Sequence, residues 1–210
     1  MESKKISNNM LVRMPAYLNY LKGLPKNTKN ISATKIANAL GLGEVLVRKE
    51  LAKVSDGGRC KLGYVCEDLI KDIEVFLDVK STIDAIVVGQ GELIKILLNY
   101  EGFETSGLNI VAGFDMNCNE KRSSAHRLIY PMNKLESFCA ENGIQVGIIF
   151  VPAVNAQTVC DQLVSQGVEA IWNFTPVHLN VPEHIVVQSE NLAASIIKMR
   201  MQLKERNEAS

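Results

Sequence analysis

The stretch that most limits how this chain can fold is Ile83-Asp84-Ala85-Ile86-Val87-Val88-Gly89-Gln90-Gly91-Glu92-Leu93-Ile94. An apolar run of strand length passes through Gly-x-Gly into Leu93, Ile96, Leu97 and Leu98, whose spacing suits a helix lying on a sheet. In dinucleotide-binding folds the first glycine of such a turn makes the bend, and the second lets a pyrophosphate approach backbone N–H groups. An acidic residue at the tip of the next strand then holds a ribose hydroxyl, and Asp115, closing Asn109-Ile110-Val111-Ala112-Gly113-Phe114-Asp115, stands there. The third glycine of the fingerprint is missing, because position 94 is Ile. Gly89 to Gly91 alone would fit any tight turn in a doubly wound sheet. Together with the strand before them and Asp115 after them, they indicate a Rossmann-type unit.

Strand and helix signals continue to alternate beyond Asp115. Met116 to Arg127 is polar, Leu128-Ile129-Tyr130 reads as a short strand, and Met132 to Asn142 reads as a helix stopped by Gly143. Val146 to Val151 is a buried strand ended by Pro152, Ala153 to Gln166 a helix, Val168 to Phe174 a strand, and Val181 to Gln188 an edge strand. This alternation builds a parallel sheet with helices on both faces and ligands beyond the strands' carboxyl ends. Val151-Pro152-Ala153 and Asn173-Phe174-Thr175-Pro176 are two such ends, expected to face the same crevice as Gly89 and Asp115. Glu190 to Arg206 reads as a helix with Leu192, Ile196, Met199 and Leu203 on one stripe, a face that needs either its own domain or a second protomer.

The net charge is zero, but it is divided unevenly. Up to Tyr64 there are 12 Lys and Arg against 4 Asp and Glu, and in the rest 11 against 19. A basic first third points to a polyanion-binding module ahead of an acidic sensing or catalytic one. Leu11, Met14, Tyr17, Leu18 and Leu21 recur at helical spacing, with Pro15 expected in a first turn or between two short helices. Ser32 can cap a helix holding Ile36, Ala37 and Leu40 inward, and Gly41 ends it. In Glu44 to Val54, Val47, Leu51 and Val54 face inward and Arg48, Lys49 and Lys53 outward. That is a helix-turn-helix whose second helix can enter a major groove. Ser55 to Tyr64 has the turn residues of a β-wing, with Arg59 and Lys61 placed to lie along phosphates; a helical hairpin with a surface loop is the plainer alternative. Glu67 to Leu77 reads as one more helix before a short linker.

Five cysteines, Cys60, Cys66, Cys118, Cys139 and Cys160, with no close CxxC spacing argue for reduced thiols rather than a disulfide framework. No stretch has the apolar length of a membrane span, and Met1-Glu2-Ser3-Lys4-Lys5-Ile6 lacks a signal peptide's apolar region, so a cytoplasmic protein is expected.

Over nearly its whole length the chain resembles the bacterial redox-sensing repressor family Rex. The resemblance is carried, in order, by Ile36-Ala37-Asn38-Ala39-Leu40-Gly41, Val47-Arg48-Lys49-Glu50-Leu51, Gly63-Tyr64, Val88-Gly89-Gln90-Gly91, Leu97-Leu98-Asn99-Tyr100, Phe114-Asp115, Val151-Pro152-Ala153 and Asn173-Phe174-Thr175-Pro176-Val177. It implies a winged helix-turn-helix DNA-binding domain over 1–80, a Rossmann-like domain over 81–188, and a C-terminal dimerisation helix and tail over 189–210. It also implies a homodimer with exchanged C-terminal helices that binds a double-stranded operator and responds to NADH and NAD+ without being an enzyme. Ser32, Thr34, Glu44, Arg48, Lys49, Lys53, Arg59 and Lys61 are the expected DNA-facing residues. Gly89, Gln90, Gly91, Glu92, Leu93, Ile94, Tyr100, Asp115, Val151, Pro152, Ala153, Asn173, Thr175 and Pro176 are those expected around the dinucleotide.

Three positions depart from the family's usual pattern. Glu92 is expected to set a carboxylate beside the pyrophosphate, at a cost on the order of 1 to 3 kcal/mol. Ile94 adds bulk where the helix meets the strand, and Asn191 stands where the family usually has an Asp that takes part in switching. The alternative is therefore a divergent paralogue that senses another ligand, such as haem, a metal or thiol oxidation, or that modulates a relative. His126, His178 and His184 are the only histidines, and none completes an acid–base pair for hydride transfer.

Overall fold

The computed structural model describes residues 6–59, 62–118 and 127–208, with the backbone alone for 122–124. The chain divides into two compact units, Met1–Ser81 and Thr82–Ser210.

In the first unit α1 (Asn8–Lys22) starts at Ser7, whose hydroxyl accepts the Met10 N–H. Pro15 lies inside α1, which runs through it as one helix rather than breaking there. A proline costs the helix one hydrogen bond, but Met10, Met14, Tyr17, Leu18 and Leu21 all bury on one face, and that burial outweighs it. β1 (Asn30–Ile31) leads into α2 (Ala33–Leu40), capped by Ser32 and ended by Gly41 at φ +63°. α3 (Glu44–Val54) and α4 (Cys66–Phe76) follow, with β2 (Tyr64–Val65) between them. β1 and β2 pair antiparallel, Ile31 opposite Tyr64, a pairing too short to read from sequence. Met14, Tyr17, Ile36, Val47, Leu51, Leu69 and Ile73 form the core, so the four helices close on one another through the stripes that their spacing predicts.

The second unit is a seven-stranded sheet. Its strands are β3 (Ile83–Gly89), β4 (Leu108–Asp115), β5 (Arg122–Ser124), β6 (Arg127–Pro131), β7 (Val146–Ile149), β8 (Ala170–Asn173) and β9 (Val186–Ser189). They stand in the order β5-β6-β4-β3-β7-β8-β9, and all pairings are parallel except β5 with β6. Counted from β3, the parallel strands run 3-2-1-4-5-6, the doubly wound order whose direction reverses between β3 and β7. α5 (Glu92–Leu98) covers one face; α6 (Leu135–Asn142) and α7 (Ala156–Ser165) cover the other. β5 is a strand within the segment that looks merely polar in sequence; three residues on an edge leave no hydrophobic signal.

The last helix, α8 (Leu192–Glu208), has no buried residue. Leu192, Ile196, Met199 and Leu203 are all about half exposed. Asn191 accepts the Ala194 N–H through its side-chain oxygen at 2.9 Å, which caps the helix without a charge. No helix among the described residues is long and apolar enough to cross a membrane.

Candidate functional site

In each unit sequence-predicted residues meet, around a concavity in the first and at the carboxyl ends of the strands in the second. In the first, Ser32, Ala33 and Thr34 at the start of α2, Arg48 on α3, and Gly58, Arg59, Gly63 and Tyr64 line a concavity of about 440 Å³. Arg59 and Gly63 exchange backbone hydrogen bonds at 2.8 and 2.9 Å, which makes the two legs of a wing. Gly63 is at φ +76°, and a Cβ there would lie 2.3 Å from the Ile31 carbonyl oxygen. Only glycine lets the wing seat so closely on β1. A Cβ on Gly58 would likewise press on the Tyr64 ring at 2.9 Å, so the wing's base is fitted around that tyrosine.

Ser32, Thr34, Arg48, Lys49, Lys53 and Arg59 are all exposed, and Glu44 is partly so. Ser32 spends its hydroxyl oxygen on the Lys35 N–H, which leaves its proton free to donate. Arg48 is ion-paired with Glu44 one turn earlier, so its charge is partly spent within α3. Cys60 and Lys61 lie outside the described residues. Lys49 and Lys53 project from α3 but do not line the concavity.

The sequence signal missed one buried group on α3. Glu50, 4% exposed, takes the Arg13 Nε at 3.2 Å on each oxygen and the Tyr17 hydroxyl at 2.6 Å, and Arg13 Nη2 also donates to it. Burial disfavours its charge, but hydrogen bonds from Arg13 and Tyr17, with the Arg13 charge, hold its carboxyl below the ordinary value. A glutamate between Lys49 and Leu51 reads as surface charge in sequence; its position three residues after buried Val47 is the only hint.

In the second unit the carboxyl ends of the strands are level. Gly89 is opposite Asp115, Val88 opposite Ile149, and Ile149 opposite Asn173. Gly91 sits at φ +59°, ψ −130°, a backbone that L side chains rarely adopt, and a Cβ there would meet nothing within 4 Å. That side of the turn is therefore open space. Asp115 is buried; one oxygen accepts the Gly91 N–H at 3.2 Å and the other the Asn117 N–H at 2.9 Å. Asn173 and Thr175 are buried and close their own loop: the Asn173 side-chain oxygen accepts the Thr175 N–H at 2.9 Å and hydroxyl at 2.7 Å. Val151 is buried in the loop after β7, with Pro152 and Ala153 exposed beyond it.

Glu92 and Leu93 are exposed on the first turn of α5, and Glu92 pairs with Lys95 at 2.5 Å. Its carboxylate therefore carries its own counter-ion. Ile94 is fully buried, and its bulk is taken up by Gly113 on β4, where a Cβ would fall 2.3 Å from Ile94 Cγ2. Tyr100 follows the far end of α5 from Gly91, exposed and edge-on to Phe103 at 4.9 Å between ring centres. Phe103 in turn meets Trp172, and Trp172 meets Phe174.

The described cysteines, Cys66, Cys118, Cys139 and Cys160, are all buried, and burial pushes the thiols of Cys66, Cys139 and Cys160 up. Among the described residues no three His, Cys, Asp or Glu side chains converge on a metal position. His178 and His184 are exposed, and His126 lies outside the described residues.

Comparison with known proteins matches both halves. Residues 80–177 match the family described as "CoA binding domain", and residues 5–52 that described as "Putative DNA-binding protein N-terminus". A redox-sensing transcriptional repressor Rex from Porphyromonas gingivalis is 34% identical over 95% of this chain and 93% of its own. One from Clostridium beijerinckii is 35% identical over 96% of this chain and 97% of its own. Among solved structures, RSP in complex with beta-NAD+ and operator DNA superposes with a TM-score of 0.88 at 31% identity, over 98% of this chain and 95% of that one. RSP in complex with beta-NADH gives 0.85 at 30% identity, over 98% and 97%. With relatives of this identity matched from end to end, the chain belongs to the Rex family of redox-sensing transcriptional repressors.

Proposed function

We propose that this chain is a dimeric operator-binding repressor whose hold on DNA is set by NADH and NAD+. The observation that carries it is the pairing of an exposed basic face in one unit with an open Gly91 turn in the other, in a chain similar throughout to a protein crystallised with both beta-NAD+ and operator DNA. Arg48 and Lys49 on α3 reach base edges, while Thr34, Lys53, Arg59 and Lys61 lie along phosphates and fix the register. Glu44 holds Arg48 in line, and Ser32 presents the first turn of α2 to the backbone.

Gly89, Gln90 and Gly91 form the turn for the pyrophosphate, and Asp115, although occupied by two amides, keeps lone pairs for a ribose hydroxyl. Val151, Pro152 and Ala153 close the β7 side, and Asn173, Thr175 and Pro176 the β8 side. The dinucleotide, when bound, supplies the oxidised or reduced ring that the protein discriminates, and the proposed site is one that senses its ligand. A preference for one form in one arrangement of the dimer shifts the population only by its difference in affinity; about 100-fold corresponds to about 2.7 kcal/mol per site. α8, exposed along its whole apolar stripe, is the element exchanged with the second protomer. Such a regulator works in the cytoplasm, where its operator is.

The test is calorimetric titration with NADH and with NAD+, followed by retention on operator DNA at increasing salt. Submicromolar NADH binding that releases DNA supports the proposal. DNA binding indifferent to both dinucleotides would turn the assignment to a paralogue sensing something else, the second reading that Glu92 and Asn191 favour.

A further inference from the structure

With Asp115, Glu50 is one of two buried carboxylates among the described residues, and no contact of the proposed DNA interface explains it. It sits one residue beyond Lys49 and two beyond Arg48, turned the opposite way. Its partners Arg13 and Tyr17 stand one turn apart on α1. Otherwise α1 and α3 only contribute apolar side chains to one shared core, whose burial specifies direction less sharply than a hydrogen bond does. A guanidinium fork onto a carboxylate is directional, and a second donor on the same carboxylate removes the remaining freedom. Because α3 is rigid, whatever fixes Glu50 fixes the bearing of Arg48 and Lys49. A roll of roughly 20° about a helix of this width carries a long side-chain tip roughly 2 to 3 Å, enough to lose a hydrogen bond to a base edge.

We propose that the Arg13–Glu50–Tyr17 network is a positioning device for operator discrimination: it sets the roll of α3, so that these core residues govern sequence preference without touching DNA. This rests on the assignment of α3 as the groove-reading helix. Stability is not its main contribution, since replacing a buried ion pair by apolar side chains of similar volume is often neutral or stabilising. Phosphate contacts, held by flexible Lys and Arg tips, tolerate a small roll; paired hydrogen bonds to bases do not.

The experiment compares the full-length wild type, Arg13→Met/Glu50→Met, Glu50→Gln and Tyr17→Phe. Thermal unfolding is measured alongside affinity for two duplexes, one enriched from a randomised library by the wild-type protein and its scrambled counterpart. The Met pair is expected to melt at or above the wild-type temperature and to bind scrambled duplex within about twofold, yet to lose about tenfold on the enriched duplex. Glu50→Gln and Tyr17→Phe, which keep part of the network, should lose about threefold in the same ratio. If the Met pair does not fold, the Glu50→Gln ratio decides. An unchanged ratio in the folded variants overturns the proposal, as does an equal loss on both duplexes that tracks melting temperature. A wild-type protein that enriches no sequence at all would instead overturn the assignment of α3, a separate and recognisable outcome.

Discussion

Ile94 occupies the space that a side chain on Gly113 would need, since a Cβ built there would stand 2.3 Å from Ile94 Cγ2 and 3.3 Å from Leu98 Cδ1. The close helix–strand contact that the fingerprint's third glycine normally provides is thus made here by a glycine on the strand. Gly113→Ala should destabilise the second unit by about 1 to 3 kcal/mol in urea unfolding, through overpacking against buried Ile94. Ile94→Ala in the same chain should recover part of that loss. A Gly113→Ala protein as stable as the wild type would refute the exchange of roles.

The first unit should weaken at both ends of the pH scale. Glu50 has a folded pKa below its unfolded value, so its contribution is present above the ordinary carboxylate range and is lost as pH falls through the folded pKa. Tyr17 is shifted the other way: burial first, then Glu50, hold its proton on above the ordinary 10.0. Its contribution is present below that value and is lost as pH rises beyond it. Thermal unfolding from pH 7 to 3 should fall more steeply for the wild type than for Glu50→Gln.

Arg48 shares its charge with Glu44, which makes the start of α3 less attractive to DNA than its arginine suggests. Glu44→Gln should raise affinity for scrambled duplex about threefold at low salt, while Lys53→Ala, which removes a proposed phosphate contact, should lower it and reduce the salt slope by about 1. Binding isotherms over a range of salt concentrations distinguish the two effects.

Glu92 and Lys95 neutralise each other beside the phosphate turn. Glu92→Gln, by freeing Lys95 and removing an anion, should tighten NADH binding about threefold to tenfold, measured by calorimetry at low salt. Equal affinity in the two proteins would show that the pair lies outside the ligand's field.

Ile196 stands in the middle of the α8 stripe, 62% exposed. Ile196→Glu should convert a dimer into a monomer in sedimentation at micromolar concentration while leaving the melting of the second unit within about 1 kcal/mol.

Much of the architecture was legible because it rests on periodicity. The alternation after Ile83 gave six parallel strands and their helices, and the outward Arg48, Lys49 and Lys53 followed from buried Val47 and Leu51. What escaped was decided by tertiary partners. Pro15 runs on as helix because five flanking apolar residues find a core, and β1 and β5 are too short to carry a pattern. Glu50 looks like any surface glutamate until Arg13, 37 positions earlier, is brought to it. Around the crevice, Gly91 and Asp115 come together as their spacing suggests, whereas the packing of Tyr100 on Phe103, beyond the end of α5, carries no periodic signal.

Asp115 fastens Gly91 through one oxygen and Asn117 through the other. In the proposed role of Asp115 as the ribose anchor, ligand preference and loop shape are written into one side chain. An evolutionary path toward a ribose bearing an extra phosphate would have to discard this carboxylate, and the same step would cut the tether of the bend that receives the pyrophosphate. Such a change of diet is closed to single substitutions and opens only to a lineage that has first acquired another anchor for Gly91.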